Sequence, residues 1–161
     1  MGEIQYNRPM MKIIEDDLTH PDVHALIALH LNHMDDHSPQ DSSYTLDLSG
    51  LQHDKITVWT IWQDKALLGC GALHELSADW AEVKSMRTHP DHLRKGVAAA
   101  MMEHMLNVAQ QRRYKKLSLE TGTTPAFDPA LKLYRKYGFA NGAVFADYRE
   151  SPYNQFLHLS L

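Results

Sequence analysis

The stretch MRTHPDHLRKGVA, residues 86–98, joins an apolar strand to a long helix through a short basic turn. Gly96 stands at the start of that helix, where free backbone N–H groups and the helix dipole can bind an anion such as a pyrophosphate. The glycine lets backbone and phosphate approach closely, and Arg94 and Lys95 add positive charge. The stretch therefore predicts a phosphate-binding turn. An ordinary capped helix with solvated basic residues is the alternative.

The segments around this turn alternate between strand and helix patterns. Apolar and β-branched runs predict strands at 11–15, 55–62, 66–76, 81–88, 117–120, 143–148 and 155–161. Apolar residues at spacings of three and four predict helices from residue 21, over 95–113 and over 128–137, with a short one within 33–54. The order β-α-α-β-β-β-α-β-α-β-β predicts an α/β fold in layers, whose strands over 55–88 form an antiparallel meander.

Composition limits the kinds of protein this chain can be. Its 161 residues, 43% of them hydrophobic, are enough for one domain with a core of its own. A net charge of -4 argues against nonspecific nucleic-acid binding, and no apolar run is long enough for a membrane span. One cysteine fits a reducing compartment, and we expect a cytoplasmic location. Residues 10–161 are predicted to be the domain. Residues 1–9 lack an apolar signal-peptide core and are predicted to be an extension, with a loosely held N-terminal strand as the alternative.

Two motifs carry a family resemblance. Gly96-Val97-Ala98 matches the second half of motif A of the GNAT acetyltransferase superfamily, in which Leu93 stands where Arg or Gln is usual. The run ALKLY at 130–134, followed by GF at 138–139, resembles a second element of that superfamily. The strings GCGAL at 69–73, EVKSMRT at 82–88, HLRKGV at 92–97, LETG at 119–122 and PAF at 125–127 resemble a bacterial, YsnE-type subgroup of acetyltransferases.

The resemblance implies a GNAT-like fold and acetyl-CoA as the co-substrate. That fold is a mixed, mostly antiparallel central sheet with helices on both faces and a V-shaped splay between the fourth and fifth strands. Acetyl-CoA would lie in the splay, with its pantetheine arm on amides near Met86 and Thr88 and its pyrophosphate on amides of residues 94–98. Phe127 stands where many relatives have Asn. The implied cofactor-binding residues are Met86, Arg87, Thr88, Leu93, Arg94, Lys95, Gly96, Val97, Ala98, Phe127 and Tyr134.

The resemblance also implies direct transfer of an acetyl group to a primary amine of a small molecule or peptide. Tyr134 would be the acid that assists the leaving thiolate, unless it is an ordinary half-buried aromatic. Glu82 is the first candidate for the general base and Glu120 the second, although Glu82 could instead pair with Lys84. Cys70 lies in an apolar strand, which favours a buried thiol over a nucleophile.

The acceptor wall is predicted from the first helix and the C-terminal aromatics. The candidates for acceptor binding are His30, His33, Met34 and Tyr148. The spacing of His30, His33 and His37 is also compatible with a metal site, but this pattern is unspecific and no metal is predicted. A non-catalytic acyl-CoA-binding module and a histidine-rich metal-binding domain stay as alternatives. The sequence is compatible with a homodimer.

Overall fold

The computed structural model describes residues 10–37 and 47–161, with the side chains of 33–37 excepted. A seven-stranded sheet has the order β1-β2-β3-β4-β5-β7-β6. The strands are β1 Lys12–Glu15, β2 Ile56–Gln63, β3 Ala66–Ser77, β4 Trp80–Thr88, β5 Lys116–Gly122, β6 Ala140–Asn141 and β7 Asn154–Ser160. The helices are α1 Pro21–His37, α2 Leu48–Leu51, α3 Val97–Gln111 and α4 Asp128–Lys136.

The sheet confirms the predicted fold class, including the splay. β4 and β5 run parallel and pair over only three residues, Trp80–Glu82 against 116–118, whereas the other strand pairs of the described residues are antiparallel. β4 continues to Thr88 and β5 to Gly122 beyond this pairing. A wedge therefore opens between the two strands in the middle of the sheet.

Helices cover both faces of the sheet. α3 and α4 pack on one face, where Met101, Met102 and Met105 belong to a core that includes Leu117 and Leu119. This methionine stripe follows the four-residue spacing of the sequence, because one helix face repeats at that interval. On the other face, residues of α1 and α2 pack against Val58, Leu67, Cys70 and Ala72. We refer to these as the α3 face and the α1 face.

The strand predicted at 143–148 is wrong. The partner of β7 is the short β6, and residues 143–148 run as irregular chain across the α1 face. Ala146 has a φ of 50°, which interrupts extended backbone. The Phe145 ring packs instead against the rings of Trp80 and Phe156, each with centroids 5.9 Å away. Ring packing on the sheet therefore holds this segment in place of a hydrogen-bonded ladder.

The predicted extension at residues 1–9 lies outside the described residues, and its boundary with the domain stays a prediction. Within 10–37 and 47–161, none of the helices combines the length and the apolar composition that crossing a bilayer requires.

Candidate functional site

The wedge between β4 and β5 opens into a cleft of about 660 Å³. Most of the site residues expected from the sequence line this cleft, with contributions from α1, β4, the turn before α3, β5 and α4. They are His30, Glu82, Met86, Arg87, Thr88, Leu93, Arg94, Gly96, Val97, Ala98, Glu120, Phe127, Tyr134 and Tyr148.

Three of the expected residues are not part of that lining as described. Lys95 lies outside it, and its Nζ is 3.2 Å from His92 Nδ1 in the turn. His33 and Met34 are within α1, but their side chains lie outside the described residues.

The turn before α3 presents backbone donors to the cleft. Arg94 and Gly96 have φ values of 61° and 80°, and the Gly96 N-cap has no side-chain capping bond. The Gly96 carbonyl accepts from Ala100 N at 3.0 Å, so the N–H groups of Val97 and Ala98 precede the intrahelical hydrogen-bond ladder. A Cβ at Gly96 would have no atom within 4 Å, so lack of space does not require glycine here. Glycine is favoured because of the positive φ.

The edge of β4 that faces the cleft also carries unpaired backbone groups. His89 N–H donates to Leu68 O of β3 at 2.7 Å, and Thr88 pairs in register with Gly69. Because backbone groups alternate in direction along a strand, the Thr88 N–H points away from β3 and into the wedge.

A β-bulge in β4 changes which side chains share a face. Ala72 pairs with Lys84 but Cys70 pairs with Arg87, so two residues of β4 lie opposite the single Gly71. Ser85, within the bulge, has a φ of 54°. Lys84 and Arg87 would lie on opposite faces of a regular strand, whereas the bulge puts both on the α1 face with Cys70 and Ala72.

Glycine at position 71 makes room for the bulge. A Cβ there would lie 2.9 Å from both Met86 Sδ and Met101 Cγ. The backbone of β3 therefore lies close against two methionines of the α3 face. Any larger residue at 71 would push on the strand segment that borders the cleft.

The two acidic residues of the cleft differ in their partners. Glu82 is buried, and its Oε2 accepts from Lys84 Nζ at 3.2 Å and from the Tyr148 hydroxyl. Burial raises the pKa of Glu120 to about 7, while a hydrogen bond from Asn154 and the charge of Lys84 act in the opposite direction. Glu82 is thus engaged by a cation, whereas Glu120 can exchange a proton near neutral pH.

Tyr134 and Cys70 also line the cleft. Burial raises the pKa of each of them to about 12, so both keep their protons at neutral pH. The Cys70 thiol donates to Ser85 O at 3.3 Å, in the bulge. It is therefore a protonated structural group in this environment, as the apolar strand around it predicts.

Phe127 closes one end of the cleft. It ends the short 3-10 helix Pro125–Phe127 and is buried against Gly122 at the end of β5, where any side chain would overlap the ring. Phe127 therefore supplies an apolar wall at a position where the resemblance leads one to expect a polar amide.

Sequence reasoning missed two features of this site. The sequence indicates Lys84 only as an alternative partner of Glu82, whereas its Nζ also donates a hydrogen bond to the Tyr148 hydroxyl at 2.7 Å. Asn154, 3.4 Å from Glu120 through its Nδ2, was not considered at all. An Asn at the start of a strand gives no sequence signal that would pair it with Glu120, 34 residues away.

The metal alternative finds no support in the part of the chain that the structure describes. No group of three or more His, Cys, Asp or Glu residues is arranged there to hold a metal ion. The side chains of His33 and His37 lie outside that part.

Comparison with known proteins agrees with this geometry. A family model described as Acetyltransferase (GNAT) family matches residues 10–139. The chain is 47% identical to the uncharacterized N-acetyltransferase YedL of Escherichia coli (strain K12) over 152 residues, which are 94% of this chain and 96% of YedL. It is 46% identical to the uncharacterized N-acetyltransferase YsnE of Bacillus subtilis (strain 168) over 147 residues, 91% of this chain and 97% of YsnE.

A solved structure extends the agreement to three dimensions. The crystal structure of a Klebsiella pneumoniae protein named as an acyl-CoA N-acyltransferase superposes with a TM-score of 0.78 at 26% identity, covering 96% of this chain and 99% of that one. The splayed strands, the helix-start amides and the matched residues lead to one conclusion: the chain belongs to the GNAT family of acetyltransferases.

Proposed function

We propose that this chain is an N-acetyltransferase that moves the acetyl group of acetyl-CoA directly to a primary amine of a small molecule or peptide. Acetyl-CoA is the co-substrate of the family to which the chain belongs. One observation carries the proposal: helix-start amides, free strand-edge amides and a carboxyl with a pKa of about 7 all border one cleft.

The backbone would hold most of the co-substrate. Residues 94, 96, 97 and 98 line the cleft at the start of α3, where the free N–H groups and the helix dipole would favour the diphosphate. The exposed edge of β4 offers Met86 and Thr88 to the amide groups of the pantetheine arm, which would pair there like an added strand. Phe127 would contact this arm through its ring rather than through a hydrogen bond.

Transfer requires a neutral amine. We assign Glu120 the role of general base, acting directly or through one water, because a carboxylate with a pKa of about 7 can accept a proton near neutral pH. The amine nitrogen then forms a bond with the thioester carbon. Negative charge develops on the carbonyl oxygen, and the Met86 N–H is the donor that we expect to stabilise it.

Collapse of the tetrahedral intermediate breaks the C–S bond and releases the thiolate of CoA. Tyr134 lines the cleft as a protonated hydroxyl, since burial raises its pKa to about 12. That pKa lies above the value of an ordinary thiol, so Tyr134 would stabilise the thiolate chiefly by donating a hydrogen bond. The proton that finally converts the thiolate to a thiol would come from solvent.

Glu82 is the less suitable base of the two acids. Both Lys84 and Tyr148 donate to its Oε2, and such donors stabilise the charged carboxylate. The Oε2 atom of Glu82 is therefore already occupied by two donors from the chain. Glu82 would therefore act by positioning Lys84 and Tyr148 at the acceptor end of the cleft.

A two-step route through an acetylated cysteine has little support. Cys70 lies in the cleft, yet burial raises its pKa to about 12 and its proton is bonded to Ser85 O. The thiolate needed for attack is therefore scarce at neutral pH. Direct transfer within a ternary complex is the simpler mechanism.

Two measurements test the proposal. Calorimetry should detect binding of coenzyme A, and thiol release from acetyl-CoA should depend on an added amine drawn from amino acids, polyamines, aminoglycosides and peptides. Binding without amine-dependent thiol release would favour a non-catalytic acyl-CoA-binding module. Absence of binding at millimolar coenzyme A would overturn the proposal entirely.

A further inference from the structure

Arg87 lines the cleft as a cation that has no ion-pair partner among the described residues. Among the residues that the structure describes, no carboxylate forms an ion pair with its guanidinium, and its Nε is buried without a hydrogen-bond partner. The residue is half-buried, and this burial lowers the pKa of the guanidinium. A buried, unpaired guanidinium is costly unless an anion comes to it from outside the protein.

The neighbouring cation is already compensated. Lys84 Nζ lies 3.2 Å from Glu82 Oε2, and both side chains are largely buried. Within the part of the chain that the structure describes, Arg87 and Glu120 are two groups of opposite charge in the cleft lining that form no ion pair, although the charge of Lys84 also acts on Glu120. An acceptor that brings an ammonium to Glu120 and a carboxylate to Arg87 would satisfy both.

The bulge determines which of the two substrates the Arg87 side chain faces. Arg87 shares the α1 face with its register partner Cys70, and His30 of α1 lines the same cleft. The phosphate-binding turn leads into α3, which packs on the opposite face. The Arg87 carbonyl points to β3, because a Cβ built at Gly69 of β3 would lie 2.7 Å from Arg87 O. The side chain is thus turned from the co-substrate diphosphate towards the acceptor.

Resting on the function proposed above, we propose that Arg87 is the carboxylate-binding residue of the acceptor site, and that the acceptor is a free α-amino acid. A guanidinium binds a carboxylate through two parallel hydrogen bonds, which orients the substrate as well as attracting it. The α-amine then lies within a few atoms of the bound carboxylate, as required if Glu120 is to remove its proton. The assignment gives the Arg87 side chain a role in acceptor binding rather than in binding the cofactor.

The test compares amines that differ only in the carboxylate. The parent enzyme is assayed with acetyl-CoA and the twenty common L-amino acids, then with the carboxamide and the decarboxylated amine of each amino acid that reacts. We expect kcat/KM for the amino acid to exceed that of its carboxamide by about 10-fold or more, the value of one charge-assisted interaction.

Variants of Arg87 then test whether its guanidinium causes the preference for the amino acid over its carboxamide. Arg87→Gln should raise KM for the amino acid by about 10-fold or more and leave the carboxamide unchanged, and Arg87→Lys should restore part of the loss. The KM for acetyl-CoA should stay constant in both. Arg112→Gln is the matched control, because Arg112 is exposed and lies over the Trp59 ring on the α3 face.

Each other outcome overturns the inference in a distinguishable way. Equal turnover of amino acid and carboxamide, or turnover of amines only, removes the carboxylate from the acceptor while the acetyltransferase function stands. A rise in the KM for acetyl-CoA in Arg87→Gln assigns the guanidinium to the co-substrate instead. Binding of coenzyme A without turnover of any amine ends the proposed function, and this inference with it.

Discussion

The Tyr148 hydroxyl donates a hydrogen bond to Glu82 Oε2, the same oxygen that accepts from Lys84. Glu82 belongs to β4, whereas Tyr148 belongs to the irregular chain between β6 and β7. The hydrogen bond therefore fastens this segment to the α1 face of the sheet. It also fixes one wall of the cleft beside Glu120.

Tyr148→Phe should loosen that wall. We expect the free energy of unfolding to fall by about 1.5–3 kcal/mol, since the lost bond is to a charged group, and KM for the acceptor to rise. The KM for acetyl-CoA should not change. Urea unfolding and steady-state kinetics measure both effects, with Tyr153→Phe, an exposed tyrosine of the same segment, as the control. An unaltered acceptor KM would contradict the placement of Tyr148 in the acceptor wall.

Glu120→Gln should nearly abolish transfer. Removal of a general base costs about 100- to 10,000-fold in rate. In the parent, kcat should rise with pH up to about 7 and then level off, because the base is active when deprotonated. Glu150→Gln, which changes an exposed carboxylate, is the control. The rise of kcat with pH should be absent from Glu120→Gln. If that rise persists in Glu120→Gln and disappears in Glu82→Gln, Glu82 is the general base and Glu120 is not.

The same substitution should stabilise the fold at alkaline pH. Burial raises the pKa of Glu120 from 4.5 to about 7, so the unfolded chain releases this proton at lower pH than the native state does. The parent therefore loses stability relative to Glu120→Gln as pH rises from 4.5 to about 7, by about 3 kcal/mol in total. Urea unfolding of both proteins at pH 5 and pH 8.5 measures this. An equal difference at the two pH values would show that Glu120 titrates normally.

Tyr134→Phe should lower kcat by about 10- to 100-fold, because the hydrogen bond to the leaving thiolate is lost. Tyr137→Phe provides a matched comparison on the same helix end, since its hydroxyl bonds to Glu103 at 2.8 Å, outside the cleft. Single-turnover rates of thiol release distinguish the two variants. Equal rates in the two would leave Tyr134 as a packing residue.

Gly96→Ala should impair both folding and co-substrate binding. A residue with a Cβ at a φ of 80° costs about 1–2 kcal/mol, although nothing lies near enough to clash. Distortion of the helix start should also raise the Kd for coenzyme A in calorimetry. Gly96→Asn is the control, because Asn tolerates this conformation better. If Ala and Asn have identical effects, the backbone conformation at 96 does not matter for binding.

Local patterns in the sequence are sufficient to predict most of the helices and strands. The spacing of Val97, Met101 and Met105 predicts α3, and a glycine before that helix predicts the turn of free amides. These features depend on residues within a few positions of one another. The strand expected at 143–148 failed because Phe145 has the composition of a strand residue but packs its ring against partners far along the chain.

The arrangement of charges within the site depends on the bulge. Nothing about Ser85 in the sequence indicates a positive φ, and regular alternation would turn Arg87 to the face of Val83. The sequence analysis ranks Glu82 before Glu120 as the general base, and our proposal reverses that order. It rests on the positions of Tyr148 and Asn154, which reach the two acids from chain more than thirty residues away.

The three-residue pairing of β4 with β5 also affects how the sheet resists an applied force. It is a seam at the centre of the sheet, flanked by longer antiparallel ladders on each side. Under tension applied across the strands, this seam should part before the longer β3–β4 and β5–β7 ladders on its two sides, since fewer backbone bonds resist there. A thioester lying across it would act as a brace, so that occupancy by substrate and resistance to force should increase together.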